Sequence, residues 1–576
     1  MAEEIRGPKA PKDPTKKRPS FYIMRNKGVS GSPQPDGRGI QFIYEDSGRL
    51  INSSKITGNI TDENIHELLK TTEGFRKLVY SIGVSATAPD KDMNVLFAFQ
   101  MYGKNDKYAG GTTIEKMIKA NDMENIIVLD ELDWEDDDFE PGQIRFEFEK
   151  AGMAAKVNVR FFLNDGFDAP EPEEEYPVDF GSERYKEIIA NAVVNQGNNY
   201  RIKKALDKAR RGEDVTISFI GGSITQGAGA VPINTECYTY KAFTGLCKLL
   251  GKGVDENIHY CKAGVGGTPS ELGMLRYERD VLMDDAGEPD IVVVEFAVND
   301  EGDETKGVCY DSLVRKIWAG PKKPAVILMF SVFADDYNLQ ERLSPVGYGY
   351  NLPMVSAKNA VTDQFYLSHE DGRIISKSQY FYDVFHPSND GHTIMADGII
   401  ELISRAMNSD YDEEVDIISM DAPIGKTFEN VIFFDKVLNA DSATVTEGAF
   451  IYTDDATQSV ERNLDLHQTA EFPYNYMYKG ALEGNGESPL PLKVEINCKA
   501  FLLVIKDSGE INAGKADIYA DGKFVMTYDP KEIGWNHCNP VIVINEEESK
   551  NHIIEVYINK EDLDKDLTIL GFGYVK

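Results

Sequence analysis

The run Val215-Thr216-Ile217-Ser218-Phe219-Ile220-Gly221-Gly222-Ser223-Ile224-Thr225-Gln226-Gly227 constrains this chain more than any other. Its apolar, β-branched first half predicts a strand buried on both faces, as in a parallel sheet. The paired glycines that stop it permit a tight turn and close approach by a ligand, and open α/β folds bind ligands beyond such strand ends. Ser223 is therefore the first candidate for chemistry. A lone serine after glycines is more often a turn residue or helix N-cap, so its partners decide.

One partner lies in Tyr382-Asp383-Val384-Phe385-His386-Pro387, where an acid precedes a histidine by three positions. That spacing lets a carboxylate meet one ring nitrogen and leave the other free, the arrangement of an oriented base. Donors for a negative oxygen come from two further segments. Ile258-His259-Tyr260-Cys261 reads as a strand followed by the cluster Ala263-Gly264-Val265-Gly266-Gly267-Thr268, which can bare a backbone N–H. Asp290-Ile291-Val292-Val293-Val294-Glu295-Phe296-Ala297 reads as another, and Val298-Asn299-Asp300 places an amide at its end. His392 and Glu295 are read as structural, a helix-start histidine and a hydrogen-bonded strand acid.

Taken in this order, the four segments resemble the SGNH (GDSL-type) hydrolases at Ser223, Gly267, Asn299 and His386, with Asp383 matching the acid of that family's D-x-x-H pair. The resemblance implies a Ser223/His386/Asp383 triad and an oxyanion hole formed by the Ser223 and Gly267 N–H groups and Asn299. It implies chemistry that needs no metal and no cofactor. The family's Gly-Asp-Ser opening is here Gly-Gly-Ser, with Gly222 in place of the aspartate. The Gly-Gly-Ser-Ile-Thr form, with Glu-Phe-Ala-Val-Asn-Asp in the third block, looks like the branch holding bacterial multidomain carbohydrate acetylesterases.

Other glycine-loop chemistries fail on spacing. A P-loop needs lysine and serine or threonine after its last glycine, but Gly227 precedes Ala228-Gly229-Ala230. A dinucleotide fingerprint needs G-x-G-x-x-G, and Ala230-Val231-Pro232 follows Gly229. The nucleophile elbow of α/β-hydrolases needs glycine two residues after the serine, where Thr225 stands.

At 576 residues the chain is too long for one core. Its formal charge of −35, from 96 acidic and 61 basic residues, argues against nucleic acid or an anionic membrane surface as partner. Neutral sugars remain compatible. No stretch approaches the roughly 20 apolar residues of a membrane span, and the polar N-terminus lacks the apolar core of a signal peptide. The six cysteines, Cys237, Cys247, Cys261, Cys309, Cys498 and Cys538, contain no C-x-x-C pair. Free thiols and a cytoplasmic location are the expectation.

Along the chain, 1–19 is expected to be a disordered leader and 20–166 a β-rich accessory domain. The latter rests on alternating runs such as Asn94–Phe99, Ile144–Phe148 and Val157–Phe162. The acidic run Asp130–Asp138 reads as a solvated loop. An acidic, proline-bearing linker is expected over 167–178. Over 179–410, a helix-like segment Ser182–Arg211 precedes strands at 215–220, 258–263, 290–297 and 325–331. These alternate with helical stretches near 236–250, 270–283 and 391–407. The fold class is α/β: a central SGNH-type three-layer α/β/α domain with a parallel sheet, flanked by N-terminal and C-terminal β-sandwich-like domains. The last, over 411–576, is carbohydrate-binding-like, with a hairpin turn at Asp521-Gly522. Trp535 is its candidate glycan contact; His537, Tyr474 and Tyr476 are weighed beside it and read as core.

The chain is thus expected to be a serine esterase removing O-acetyl groups from plant-type oligosaccharides derived from mannan or xylan. The alternatives are an acetyltransferase, a short-chain acyl esterase or thioesterase on a non-glycan substrate, and a glycan-binding protein with an inert hydrolase-like domain. A homodimer is open to it. Glycan binding, dimerisation and roofing of the cleft are the roles open to the N-terminal domain.

Overall fold

The computed structural model describes residues 17–576 apart from 44–45, 106, 108–109, 255, 463–467 and 484–488. The leader expected over 1–19 lies, up to residue 16, outside the described residues. Two compact units divide the chain, Met1–Pro177 and Val178–Lys576.

The first unit is built on two antiparallel sheets. One orders Ser20–Ser30, Ala154–Leu163, Val79–Thr87 and Asn125–Val128; the other orders Ser32–Pro33, Gly39–Ile43, Asp138–Phe148, Asn94–Gly103 and Thr113–Lys119. In Ala154–Leu163 the alternate residues Ala155, Val157, Val159, Phe161 and Leu163 are buried, the period-two signature of a half-covered sheet. Phe161 meets Phe75 and Phe21 edge-on at 5.2 and 5.7 Å in a shared core. Three short helices, Ser47–Ile56, Glu63–Leu69 and Thr72–Leu78, were not read from the sequence. Each starts at a side-chain cap, Asp46, Asp62 or Thr71, and buries an apolar face that includes Leu50, Leu69 and Phe75. Within the acidic run, Leu129–Glu131 forms a short 3-10 turn, and Asp138 accepts from the N–H and hydroxyl of Thr112 at 2.6 and 2.8 Å.

The second unit is organised on a six-stranded sheet: β1 (Val193–Asn195), β2 (Val215–Gly221), β3 (Ile258–Gly264), β4 (Ile291–Glu295), β5 (Ala325–Phe330) and β6 (Met354–Ser356), in the order β1-β6-β5-β4-β2-β3. All pairs are parallel except β1 with β6. Every residue of β2, β4 and β5 is buried, as a sheet covered on both faces requires. Helices Ser270–Tyr277 and Val308–Ala319 pack together with Ile220, Val292 and Val294 on one face. Helices Glu183–Ala192, Tyr200–Arg210, Tyr238–Leu249 and Asn389–Asn408 pack together on the other, where Phe219 meets Tyr238 at 5.8 Å. The segment Ser182–Arg211 is not one helix but two, with β1 between them. The Asn195-Gln196-Gly197-Asn198-Asn199 stretch favours turns over helix continuation.

The chain then enters an eight-stranded antiparallel sheet whose long strands are Leu492–Asp507, His537–Ile558 and Leu567–Val575. Register shifts at Cys498/Ala500 and Phe501/Leu502 let paired strands bend. Asp521 and Gly522 have φ of 52° and 73°, a two-residue hairpin turn. One side of this sheet encloses its own core around Phe434, Phe501 and Phe572. The other continues the core of the α/β sheet: Ala500, Leu502, Val504 and Leu570 join Ile220, Leu275 and Val294. All six cysteines are buried and unpaired. No helix among the described residues is long and apolar enough to cross a membrane.

Candidate active site

Strand β2 lies between β3 and β4, so the chain leaves it toward neighbours on opposite sides, the switch point where open α/β sheets form a crevice. The three strands end level: Gly221 is paired with Gly264 on one side and Glu295 on the other. Ser223, Gly267 and Asn299 follow these ends by two to four residues, and so are brought to one place. Arg276 ties two of the ends together, donating to the carbonyls of Gly221 and Ala263, both at 2.8 Å.

Ser223 begins the short helix Ser223–Gln226. Its Oγ lies 3.0 Å from His386 Nε2, and His386 Nδ1 lies 2.9 and 3.0 Å from the two Asp383 oxygens. Asp383 Oδ1 also accepts from the backbone N–H groups of Phe385 and His386, both at 2.8 Å. Burial alone would push this carboxyl up, but the facing imidazole and those N–H groups outweigh it and hold it at about 2. Asp383 is therefore ionised throughout the neutral range, as a group that orients an imidazole must be.

Gly222 stands where the Gly-Asp-Ser opening has its aspartate. A Cβ there would stand 2.2 Å from Asn299 Oδ1, so the amide of Asn299 occupies the space of a side chain. That oxygen is buried without a hydrogen-bond partner among the described residues. Asp300 fixes the amide's loop by accepting from the N–H and hydroxyl of Ser270, both at 2.7 Å; burial pushes its carboxyl up to about 7. Gly267 sits at φ 73°, in the left-handed region, and a Cβ there would run into the Trp535 ring at 2.6 Å.

Trp535, 45% exposed, thus covers Gly267, and its ring centroid is 4.7 Å from that of His537. The structure does not bring the tyrosines here: Tyr476 packs on Phe572 at 5.5 Å in the C-terminal core, and Tyr474 is exposed on its own. His392 is buried, takes the N–H of Tyr238 on Nδ1 and donates from Nε2 to Ala228 O, each at 3.1 Å; burial pushes its imidazole down to about 3. Glu295 ends β4 beneath the serine, with Ser331 donating to one oxygen and Thr225 to the other. Burial pushes it up to about 7 against those two bonds.

Of the groups that reach the site from the C-terminal sheet region, the sequence pointed to Trp535 and weighed His537 as core, but it gave no sign of Gln458 or Glu461. Gln458 donates to Gly266 O at 2.8 Å, and His537 faces Gly267 O at 3.1 Å and Asp507 at 2.9 Å. Gln226 donates to Glu461 at 2.7 Å. Apart from His537–Asp507, these pairs span about two hundred residues or more, and no local motif marks them. The other contribution of that region is a buried ionic cluster. In it Arg276 and Arg279 bind Asp280 while Arg279 and Arg462 bind Glu471, so the arginine holding the strand ends is itself held.

Among the described residues, ligand-type side chains converge in one group, Glu271, Asp303 and Cys309, all buried. Burial and the neighbouring acids push Glu271 up to about 9, and Asp303 is engaged by the N–H groups of Thr305 and Gly307. A protonated Glu271 paired with a loop-capping Asp303 meets its own polar needs.

Serine, imidazole and carboxylate in line, with amide donors beside the serine, can attack an acyl carbonyl and stabilise the oxyanion that forms. Residues 219–394 match the model of the GDSL-like Lipase/Acylhydrolase family. No match is found among curated proteins. Among solved structures, a two-domain esterase (CEX) active on acetylated mannans is 26% identical, with a TM-score of 0.56 over 67% of this chain and 99% of that one. The same esterase co-crystallised with mannopentaose is 25% identical, with a TM-score of 0.55 over 67% and 98%. Residues 219–394 thus match a GDSL-type hydrolase domain, carried in a chain that over two thirds of its length is similar to a two-domain esterase active on acetylated mannans.

Proposed function

We propose that this protein is a serine esterase that removes O-acetyl groups from acetylated oligosaccharides, with mannan-derived fragments the first substrate class and xylan-derived ones the second. The observation that carries the proposal is the unbroken line from Ser223 Oγ through His386 to Asp383, at 3.0 and 2.9 Å, flanked by Gly267 and Asn299. Likeness to an esterase active on acetylated mannans supports the choice of sugar.

In the reaction Ser223 Oγ attacks the acetyl carbonyl and His386 Nε2 takes its proton. The N–H groups of Ser223 and Gly267 and the Asn299 amide receive the negative oxygen. As the bond to the sugar breaks, His386 returns the proton to the departing sugar oxygen, releasing the free hydroxyl and leaving an acetyl-serine. Water, deprotonated by His386, attacks this ester, and acetate leaves as the serine regains its proton. Trp535 offers an exposed ring beside the oxyanion loop on which an apolar sugar face can rest.

Mass spectrometry of acetylated manno- and xylo-oligosaccharides before and after incubation tests this, with Ser223→Ala alongside. The expected result is loss of acetyl mass from the manno series, with Ser223→Ala slower by about a thousandfold or more. A Ser223→Ala protein of near-normal rate, or acetyl groups moved between sugars without release of acetate, overturns it.

A further inference from the structure

Two consecutive carbonyls of the oxyanion loop are held from the distant C-terminal region. Gln458 Nε2 donates to Gly266 O at 2.8 Å. That carbonyl belongs to the peptide whose N–H is carried by Gly267, the group assigned to the oxyanion. On its other side, the amide of Gln458 accepts from Cys538 N–H at 3.0 Å, so it cannot turn over without losing both bonds. One peptide further, Gly267 O faces His537 Nε2 at 3.1 Å, while His537 Nδ1 faces Asp507 at 2.9 Å. Gln458, His537 and Asp507 are 8%, 4% and 0% exposed, so these bonds form out of water.

From this arrangement we infer that Gln458 is a positioning residue for ester cleavage: it aims and polarises the Gly266–Gly267 peptide so that its N–H meets the oxyanion, making the C-terminal module part of the rate-determining apparatus. The inference rests on the esterase reading above and deepens it. Hydrogen bonding to an amide carbonyl draws charge toward oxygen and makes the N–H of the same peptide a better donor, an effect strengthened in a site of low dielectric. Orientation is the second part. A donor stabilises a transition state without reorganisation only when its direction is fixed beforehand. Gly267, at φ 73° with no side chain of its own, has the weakest intrinsic preference for any direction. The clamp by Gln458 on one carbonyl and His537 on the next supplies it. Neither side chain touches the reacting atoms, so their effect is expected in turnover and not in substrate affinity.

The test compares the full-length protein with Gln458→Leu and Gln458→Glu on an aryl acetate. Leucine removes both hydrogen bonds. Glutamate keeps size and the acceptor for Cys538 N–H but turns an oxygen toward Gly266 O. Titration with a serine-directed phosphonate counts competent molecules, so that misfolded protein does not lower the rate. Both variants are expected to lose about tenfold in kcat, less than the hundred- to thousandfold of deleting an oxyanion donor outright, with KM little changed. Affinity for a boronic acid, whose tetrahedral serine adduct puts an oxygen in the oxyanion position, is expected to fall by the same factor. A purely structural role would lower melting temperature and leave boronate affinity per competent molecule unmoved; that result, or parental kcat in either variant, overturns the inference. Ser223→Ala separates the two levels. If it is inactive while Gln458→Leu is parental, only the positioning role fails; if it retains activity, the esterase reading fails first.

Discussion

The half of the site proposed to transfer the proton is built from one short loop. Asp383 and His386 are three residues apart, and the backbone of that same loop supplies the N–H groups that hold the carboxylate. The half proposed to hold the oxyanion is assembled from afar: Gly267 and Asn299 hang from separate strands, and the carbonyls behind Gly267 are tied to Gln458 and His537, about two hundred residues away or more. Charge explains the contrast. An imidazole must change protonation within each cycle and is governed by its nearest carboxylate, which a local loop can place. An oxyanion needs several neutral dipoles converging on one point, and no single loop of this size presents them all.

Asp383→Asn should break the local half most severely. Asparagine can keep an oxygen for the loop N–H groups, but its NH2 turned to the ring favours the tautomer with hydrogen on the nitrogen facing Ser223, which then cannot act as base. A fall in kcat of about a thousand- to ten-thousandfold is expected, with melting temperature near the parent's. Initial rates on an aryl acetate measure it, and a loss below tenfold would mean that the carboxylate is not what orients His386.

Asn299→Ala addresses the dispersed half. It deletes one donor and leaves the Ser223 and Gly267 N–H groups, so kcat should drop by about a hundred- to thousandfold with little change in KM. The residual rate should keep the parent's pH profile, because His386 and Asp383 are untouched. A pH profile that moves with the mutation would show the two halves to be coupled, contrary to the way they are built.

The same contrast decides how much could be read before the fold was known. Strands β2 and β4 announce themselves by unbroken apolar runs, and the D-x-x-H pair by a spacing that is itself the contact. Gly222 is a departure from the family's opening, and only the fold reveals its neighbour: the Asn299 amide lies where a side chain there would stand. Gln458 carried no signal: it stands before a short strand, Ser459–Glu461, in a polar stretch like many others. The placement of Trp535 was half legible. A tryptophan in a polar loop pointed to a binding surface, but its position over Gly267 depends on how the C-terminal sheet seats on helix Ser270–Tyr277, where Leu275 packs onto Gly573. In the first unit, the helices between Ser47 and Leu78 escaped because each is short, set by its capping side chain and the core it covers more than by a sustained period.

Glu295 supports both halves without belonging to either, and it should give the smallest effect on turnover and a distinct one on stability. It receives a hydrogen bond from Thr225, two residues beyond Ser223, and another from Ser331, and no side chain of the Ser223–His386–Asp383 line bonds to it. Burial raises its carboxyl from 4.5 to about 7, so the fold favours the protonated form. Its contribution to stability is whole below about pH 4.5 and is lost as pH rises through 7, because the unfolded chain ionises freely where the folded one resists. Glu295→Gln keeps the shape and removes the charge. Relative to the parent it should gain about 1.4 kcal/mol for each pH unit between 4.5 and 7, and so roughly 3 kcal/mol by pH 8. Urea denaturation of both proteins at pH 5 and pH 8 measures this. A stability difference that is the same at both values would mean that Glu295 is ionised in the fold at all times, and that the strand end beneath the serine carries a permanent negative charge facing the imidazolium of the transition state.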